Sequence, residues 1–257
     1  MMTLLATDLI VKFYAFLWPL TRIAALMMTA PVFSVEAANA RIRLMLALTL
    51  TAMVYPMFDW PAIDPFSAAG LMALLTEIGI GVVMGMVLQI VTAALVVAGQ
   101  SISASMGLSM ANMIDPTLGN VPILAQFLTV MGTLIFFALG GHLVVISALV
   151  ETFRAVPVGQ PVKAAEAISK LMTWSSMMFL GGLLIALPVM AILLLINIGL
   201  GVITRAAPSL NIFSVGVPAA VAAGFVILIF VMPGMGNRMH WLWLEGFEQI
   251  RNIFGVP

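Results

Sequence analysis

Four stretches of the chain, 78–114, 116–150, 171–204 and 206–237, contain no Asp, Glu, Lys or Arg. Each is longer than the roughly 20 apolar residues that a helix needs to cross a bilayer, which predicts long membrane helices. Residues 9–31 are apolar apart from Lys12, Thr21, Arg22 and Thr29 and predict a first helix. Asp8 ahead of this run, Lys12 inside it and its continuation past Trp18 and Pro19 are unlike a cleaved signal peptide, so the helix is expected to be retained. Pro31-Val-Phe-Ser-Val-Glu36 closes it, and a second helix is expected from Asn39-Ala-Arg41-Ile-Arg43 to Phe58.

The apolar pattern breaks most sharply at 99–122, a small, polar, Met-rich stretch: Gly99, Gln100, Met106, Gly107, Leu108, Met110, Asn112, Met113, Asp115, Pro116, Gly119, Asn120 and Pro122. Lipid-facing helix cannot run throughout it, because Asp115, Asn112, Asn120 and the backbone freed by Gly119 and Pro122 need polar partners or water. It predicts a loop or broken helix lining a protected cavity; a static interhelical loop is the plainer alternative. A second interruption, Arg205-Ala-Ala-Pro208-Ser-Leu-Asn211-Ile-Phe-Ser214-Val-Gly216-Val-Pro218, is expected to pair with the first.

Between these landmarks the chain is read by packing and charge. Gly81-Val-Val-Met-Gly85 has the small-xxx-small spacing that lets helices approach closely, and Gly99, Ser103 and Gly107 extend it. Arg41 and Arg43 favour a cytosolic loop. Phe58-Asp-Trp-Pro-Ala-Ile-Asp-Pro65 carries two acids and no base and reads as interfacial and extracytosolic. For the loop bearing Arg154, Lys163 and Lys170 to share the cytosolic side with Arg41 and Arg43, 66–111 is expected to fold as two segments with a turn around 81–92. That gives an amino end outside and a carboxyl end inside.

Residues 122–150 predict a helix with breaks at Gly132 and Gly140-Gly-His142, and 151–170 an amphipathic cytosolic connector in which Glu166 and Lys170 form a helical pair. A kink at Pro188 is expected within 171–203, and Asn197-Ile-Gly-Leu-Gly201 adds a polar, flexible point. The last strong helix is expected over 219–232, stopped by Pro233-Gly-Met-Gly236. Trp241 and Trp243 beyond it suit an interfacial belt, and the mixed charges there suit a docking helix. The fold class is all-α: a polytopic membrane protein of helical hairpins with broken helices, in one domain over 1–257.

Composition narrows the function. Charged residues make up 8% of the 257, against about 25% in a soluble domain. Formal net charge is zero and no basic block exists, so no nucleic acid partner is expected; membrane lipid is. Cysteine is absent, and His142 and His240 lie far apart without acidic companions, so neither metal nor cofactor is expected. The chain has no Gly-x-x-x-x-Gly-Lys phosphate loop, so energy for transport would come from elsewhere. Gly107-Leu-Ser109-Met-Ala111 with His142 is a weak match to a serine protease and lacks the final glycine of a nucleophile elbow. Arg22, Glu77, Asp115 and His142 are the set a solitary transporter would use, yet no inverted repeat is detectable. Arg22 is too central to reach water and is expected to face a helix or cavity. Candidate buried-polar or interface residues are Arg22, Arg41, Arg43, Glu77, Gln100, His142, Asn197, Arg205 and Asn211.

In the order Pro31-Val-Phe33, Arg41-Ile-Arg43, Gly99-Gln100, Gly107-Leu108, Asp115-Pro116, Pro122, Gly140-Gly-His142, Phe153 to Pro157, Pro208-Ser-Leu-Asn211-Ile-Phe213, Gly216 and Pro218, the chain resembles the flagellar biosynthetic protein FliR family over about residues 8–250. The resemblance implies a non-enzymatic subunit of the type III export gate in the bacterial inner membrane, at the flagellar basal body; a virulence-type gate is the alternative. The implied partners are five copies of a FliP-type protein, four of a FliQ-type protein, an FlhB-type protein at the cytosolic entrance, and the unfolded flagellar proteins that pass through. It implies bent hairpins, with much of the complex above the membrane plane. It also implies a pore-closing loop, carried here by Gly107 through Pro122. In that loop Met106, Met110 and Met113 offer unbranched side chains that can fill and vacate a narrow opening. Gly107 and Gly119 would supply flexible ends, and Asp115 would bond neighbouring backbone.

Overall fold

A computed structural model describes residues 2–33, 39–108, 123–161, 163–206 and 216–256. Among the described residues the regular elements are all helical. They are α1 (Met2–Thr29), α2 (Ala40–Val54), α3 (Ala68–Ser105), α4 (Ile123–Ala138), α5 (Gly141–Ala155), α6 (Ala164–Ser175), α7 (Met177–Ala206) and α8 (Val217–Phe254), with short 3₁₀ turns at Pro31–Phe33 and Tyr55–Met57. Among the described residues five stretches are long and apolar enough to cross a membrane: Ile10–Thr29, Ala40–Met57, Ala68–Ser105, Ala164–Ala206 and Pro218–Phe254; α4 and α5 together would make a sixth. Helix is the outcome because a segment in lipid must satisfy its own backbone hydrogen bonds.

Several sequence expectations are overturned. α3 runs unbroken for 38 residues, about 57 Å at 1.5 Å per residue, so there is no turn at 81–92. The close approach expected of Gly81 and Gly85 is found: a Cβ at Gly81 would strike the Arg22 carbonyl and Ala25 of α1, and one at Gly85 the Thr29 side chain. Gly132 stays inside α4, and the break falls at Gly140, whose φ of +65° suits glycine. The expected single helix over 171–203 is instead interrupted at Ser176, between α6 and α7. α8 continues through Pro233 to Phe254 rather than stopping near 232.

The proline at 188 lacks the N–H that would bond the carbonyl four residues back, Leu184. Arg238 of α8 supplies the missing donor through Nη1. A charge just past the apolar run 206–237 thus has a partner, and a proline inside an apolar helix is tolerated.

The chain divides into two compact units, each with its own core. The first comprises residues 1–90, 141–175 and 245–257. Its core includes Trp18, Ile23, Leu26 and Met27 of α1 with Met84, Val87 and Leu88 of α3. Trp174 of α6 donates to the Val87 carbonyl at 3.4 Å, and Lys170 Nζ donates to the Asn252 carbonyl at the end of α8 at 2.9 Å. Phe58 and Trp60, in the turn after α2, pack on Phe153 near the end of α5, with centroids 5.9 and 5.3 Å apart. Ile63 likewise lies against Gly159. These two turns therefore share one side, contrary to the separation expected from charge. Arg41 and Arg43 sit at the other end of α2, about 20 Å away along a 15-residue helix. A count of so few basic residues could not register this.

The second unit comprises residues 91–140 and 176–244. Trp243 lies wholly buried in it, donating to the Gly132 carbonyl at 2.9 Å and packing on Phe136 at 4.8 Å between centroids. It is a core residue, not the interfacial one expected; Trp241 is exposed. Gly99 meets the backbone of α4 at Leu124 and Ala125, and Gly182 of α7 meets the Ala94 carbonyl and Val97 of α3.

Candidate functional site

Within the first unit, one charged centre joins three helices. Arg22 projects from α1 into the core with no exposed surface, and Glu77 of α3 is 1% exposed. Arg22 Nε and Nη2 donate to the two Glu77 carboxylate oxygens at 2.7 and 2.9 Å, a bidentate pair. Nη1 donates to Thr152 Oγ1 at 3.0 Å, and Nη2 also donates to the Val156 carbonyl at 3.0 Å. Thr152 Oγ1 in turn donates to the Leu149 carbonyl at 2.6 Å. The Phe153 ring covers the guanidinium at 4.2 Å from its centroid. With both carboxylate oxygens engaged and the guanidinium bonded on each of its nitrogens, this centre holds helices together; it offers no free group for proton or ion transfer.

Within the second unit, the end of α3 leads into the stretch singled out in the sequence. Met106 N donates to Ile102 O at 3.0 Å and Gly107 N to Ala104 O at 3.1 Å, finishing the helix. Gly107 then adopts φ +77°, a left-handed conformation that turns the chain out of the helix axis. Met106 is wholly buried, while Gly107 and Leu108 are half-buried. Asn197 of α7 donates from Nδ2 to the Ser105 carbonyl at 3.2 Å. Met110, Asn112, Met113, Asp115, Pro116, Gly119 and Pro122 lie outside the described residues, as does Asn211.

The remaining candidates are dispersed. Arg41, Gln100 and Arg205 are exposed, Arg43 and His142 half-buried. Ser109, needed for the protease reading, lies outside the described residues, and among those described there is no group of three or more His, Asp or Glu able to hold a metal. Sequence reasoning missed Thr152 and the Val156 carbonyl as partners of Arg22, Arg238 as the partner of Leu184, and Gly224, which lies against Met106. A proline inside an apolar run with one arginine elsewhere was a usable signal for the second. Nothing local marked the others.

Comparison with known proteins adds lineage to this geometry. Residues 13–246 match the family described as bacterial export proteins, family 1. The flagellar biosynthetic protein FliR of Pectobacterium carotovorum subsp. carotovorum is 35% identical, over 98% of this chain and 97% of that protein. FliR of Escherichia coli (strain K12) is 35% identical over 93% and 92%, and FliR of Bacillus subtilis (strain 168) 29% identical over 95% and 96%. With a family match across most of its length and relatives aligned nearly end to end, the chain belongs to the FliR family of bacterial export proteins.

Proposed function

We propose that this chain is a non-enzymatic subunit of the flagellar type III protein export gate, and that it helps both to form the channel and to close it. The observation that carries the reading is the near end-to-end similarity to proteins named for flagellar biosynthesis, which favours a flagellar over a virulence-type gate. In this reading the chain sits in the inner membrane at the basal body, with FliP-type and FliQ-type subunits around it and an FlhB-type protein at the entrance. Unfolded flagellar proteins pass through the assembly. The large apolar side chains exposed along α7, such as Phe179, Leu187, Leu195 and Val202, suit burial against lipid or neighbouring subunits.

The closing role falls to Gly107 through Pro122. Its support is the left-handed turn at Gly107, which ends α3 where this Met- and Gly-rich stretch begins. A solitary transporter is disfavoured, because Arg22 and Glu77 neutralise each other.

Two measurements test the reading. Native mass spectrometry of the tagged protein, co-expressed with its neighbouring membrane proteins, should show one copy within a larger assembly of small hydrophobic subunits; a stable monomer would overturn the gate assignment. Deleting residues 108–118 should leave that assembly intact but make it leak ions in planar bilayers. Unchanged conductance would remove the closing role.

A further inference from the structure

The end of α3 is held from two sides, and we propose that Gly224 and Asn197 are positioning residues: they seat Met106 and Ser105 and so fix the point from which the closing stretch leaves α3. This assignment rests on the closing role proposed above.

Three observations support it. First, Met106 is wholly buried, and a Cβ built on Gly224 of α8 would lie 2.6, 2.7 and 2.9 Å from its Cε, Cγ and Sδ. The thioether side chain occupies the space an alanine methyl would need. Second, Gly224 follows Pro218-Ala-Ala-Val-Ala-Ala223 inside a helix, where glycine is a poorer helix former than alanine. One glycine after a run of alanines makes physical sense where a neighbour's side chain must fit. Third, Asn197 is a polar residue on an otherwise apolar face of α7, between Leu195 at 70% exposure and Ile198 at 56%. Its amide bonds the Ser105 carbonyl, which lies among the last four of α3 and has no partner within that helix.

Met106 is therefore an anchor, and Met110 and Met113 are left as the methionines available to fill the opening. Gly107, turning at φ +77° next to the anchored residue, converts a fixed helix end into a fixed departure point. Displacing Met106 moves that point.

The absence of cysteine makes the seat directly testable. A Cβ at Gly224 lies 2.7 Å from Met106 Cγ, which puts the two Cβ atoms at most about 4.2 Å apart, within disulfide range. Met106→Cys/Gly224→Cys, expressed with its partner subunits, should form an intramolecular disulfide on mild oxidation of the assembled complex, read as protection from maleimide-polyethylene glycol until reduction. In bilayer recordings Gly224→Ala should raise the leak by about tenfold, as overpacking biases the closed state, and Gly224→Ala/Met106→Ala should return it toward wild type. A cysteine pair that stays reduced in assembled complexes overturns the seat. If the 108–118 deletion leaks while Gly224→Ala closes normally, the positioning role is wrong and the closing role stands. If neither leaks, the closing role fails and takes the function of the seat with it.

Discussion

Replacing Glu77 by alanine should be among the most destabilising single changes in the first unit. It would leave Arg22 charged, wholly buried and without its bidentate acceptor, although Thr152 Oγ1, the Val156 carbonyl and the Phe153 ring would still engage it. Breaking a buried pair in this way costs about 3–5 kcal/mol. The remaining partners are neutral and cannot offset the charge, so the upper part of that range is expected. At about 2–4 °C per kcal/mol for a chain of this size, the midpoint should fall by roughly 10 °C or more. Tryptophan fluorescence during heating of the purified protein in mild detergent would read it, since Trp18 and Trp174 lie in the same core. Arg22→Met/Glu77→Leu removes both charges while roughly filling the volume and should recover most of the loss. A Glu77→Ala midpoint within about 1 °C of wild type would refute the reasoning. So would a double variant no more stable than the single one, because the cost would then be lost packing rather than a stranded charge.

Two further tests address topology and helix integrity. In spheroplasts an impermeant maleimide should reach Asp59→Cys and Lys163→Cys from the same side and Arg41→Cys from the other, because the turns after α2 and α5 pack together through Phe58, Trp60 and Phe153. Labelling of Asp59→Cys with Arg41→Cys would contradict that packing. Arg238→Met strips the Leu184 carbonyl of its donor and should cost about 1–3 kcal/mol. Pro188→Ala restores an N–H to α7, so in that background the cost of Arg238→Met should fall by half or more in a double-mutant cycle; equal costs would refute the link.

The all-helical membrane class was legible in the sequence because it follows from length and charge alone: a run such as 171–204 has no charged side chain to hold it in water, and a backbone in lipid must bond to itself. The change of character at 99–122 was equally visible, as polar and glycine or proline residues set between apolar runs. Arg22 and Glu77 could each be seen as a charge inside an apolar stretch. That they face one another could not, since 55 residues separate them and the register of α1 on α3 sets the meeting. The same limit explains the misread breaks. Gly132 looks like a break in sequence, but in the structure its missing side chain admits Leu95 at contact distance, whereas the close approach expected of Gly81 and Gly85 is found against α1. Pro188 reads as a kink, but nothing near it in sequence shows that Arg238, 54 residues beyond Leu184, bonds the carbonyl it frees. Local sequence fixes which segments must be helical. Whether a glycine or proline inside them becomes a break, a contact or a bonded defect depends on what another helix places against it, and that only the tertiary structure decides.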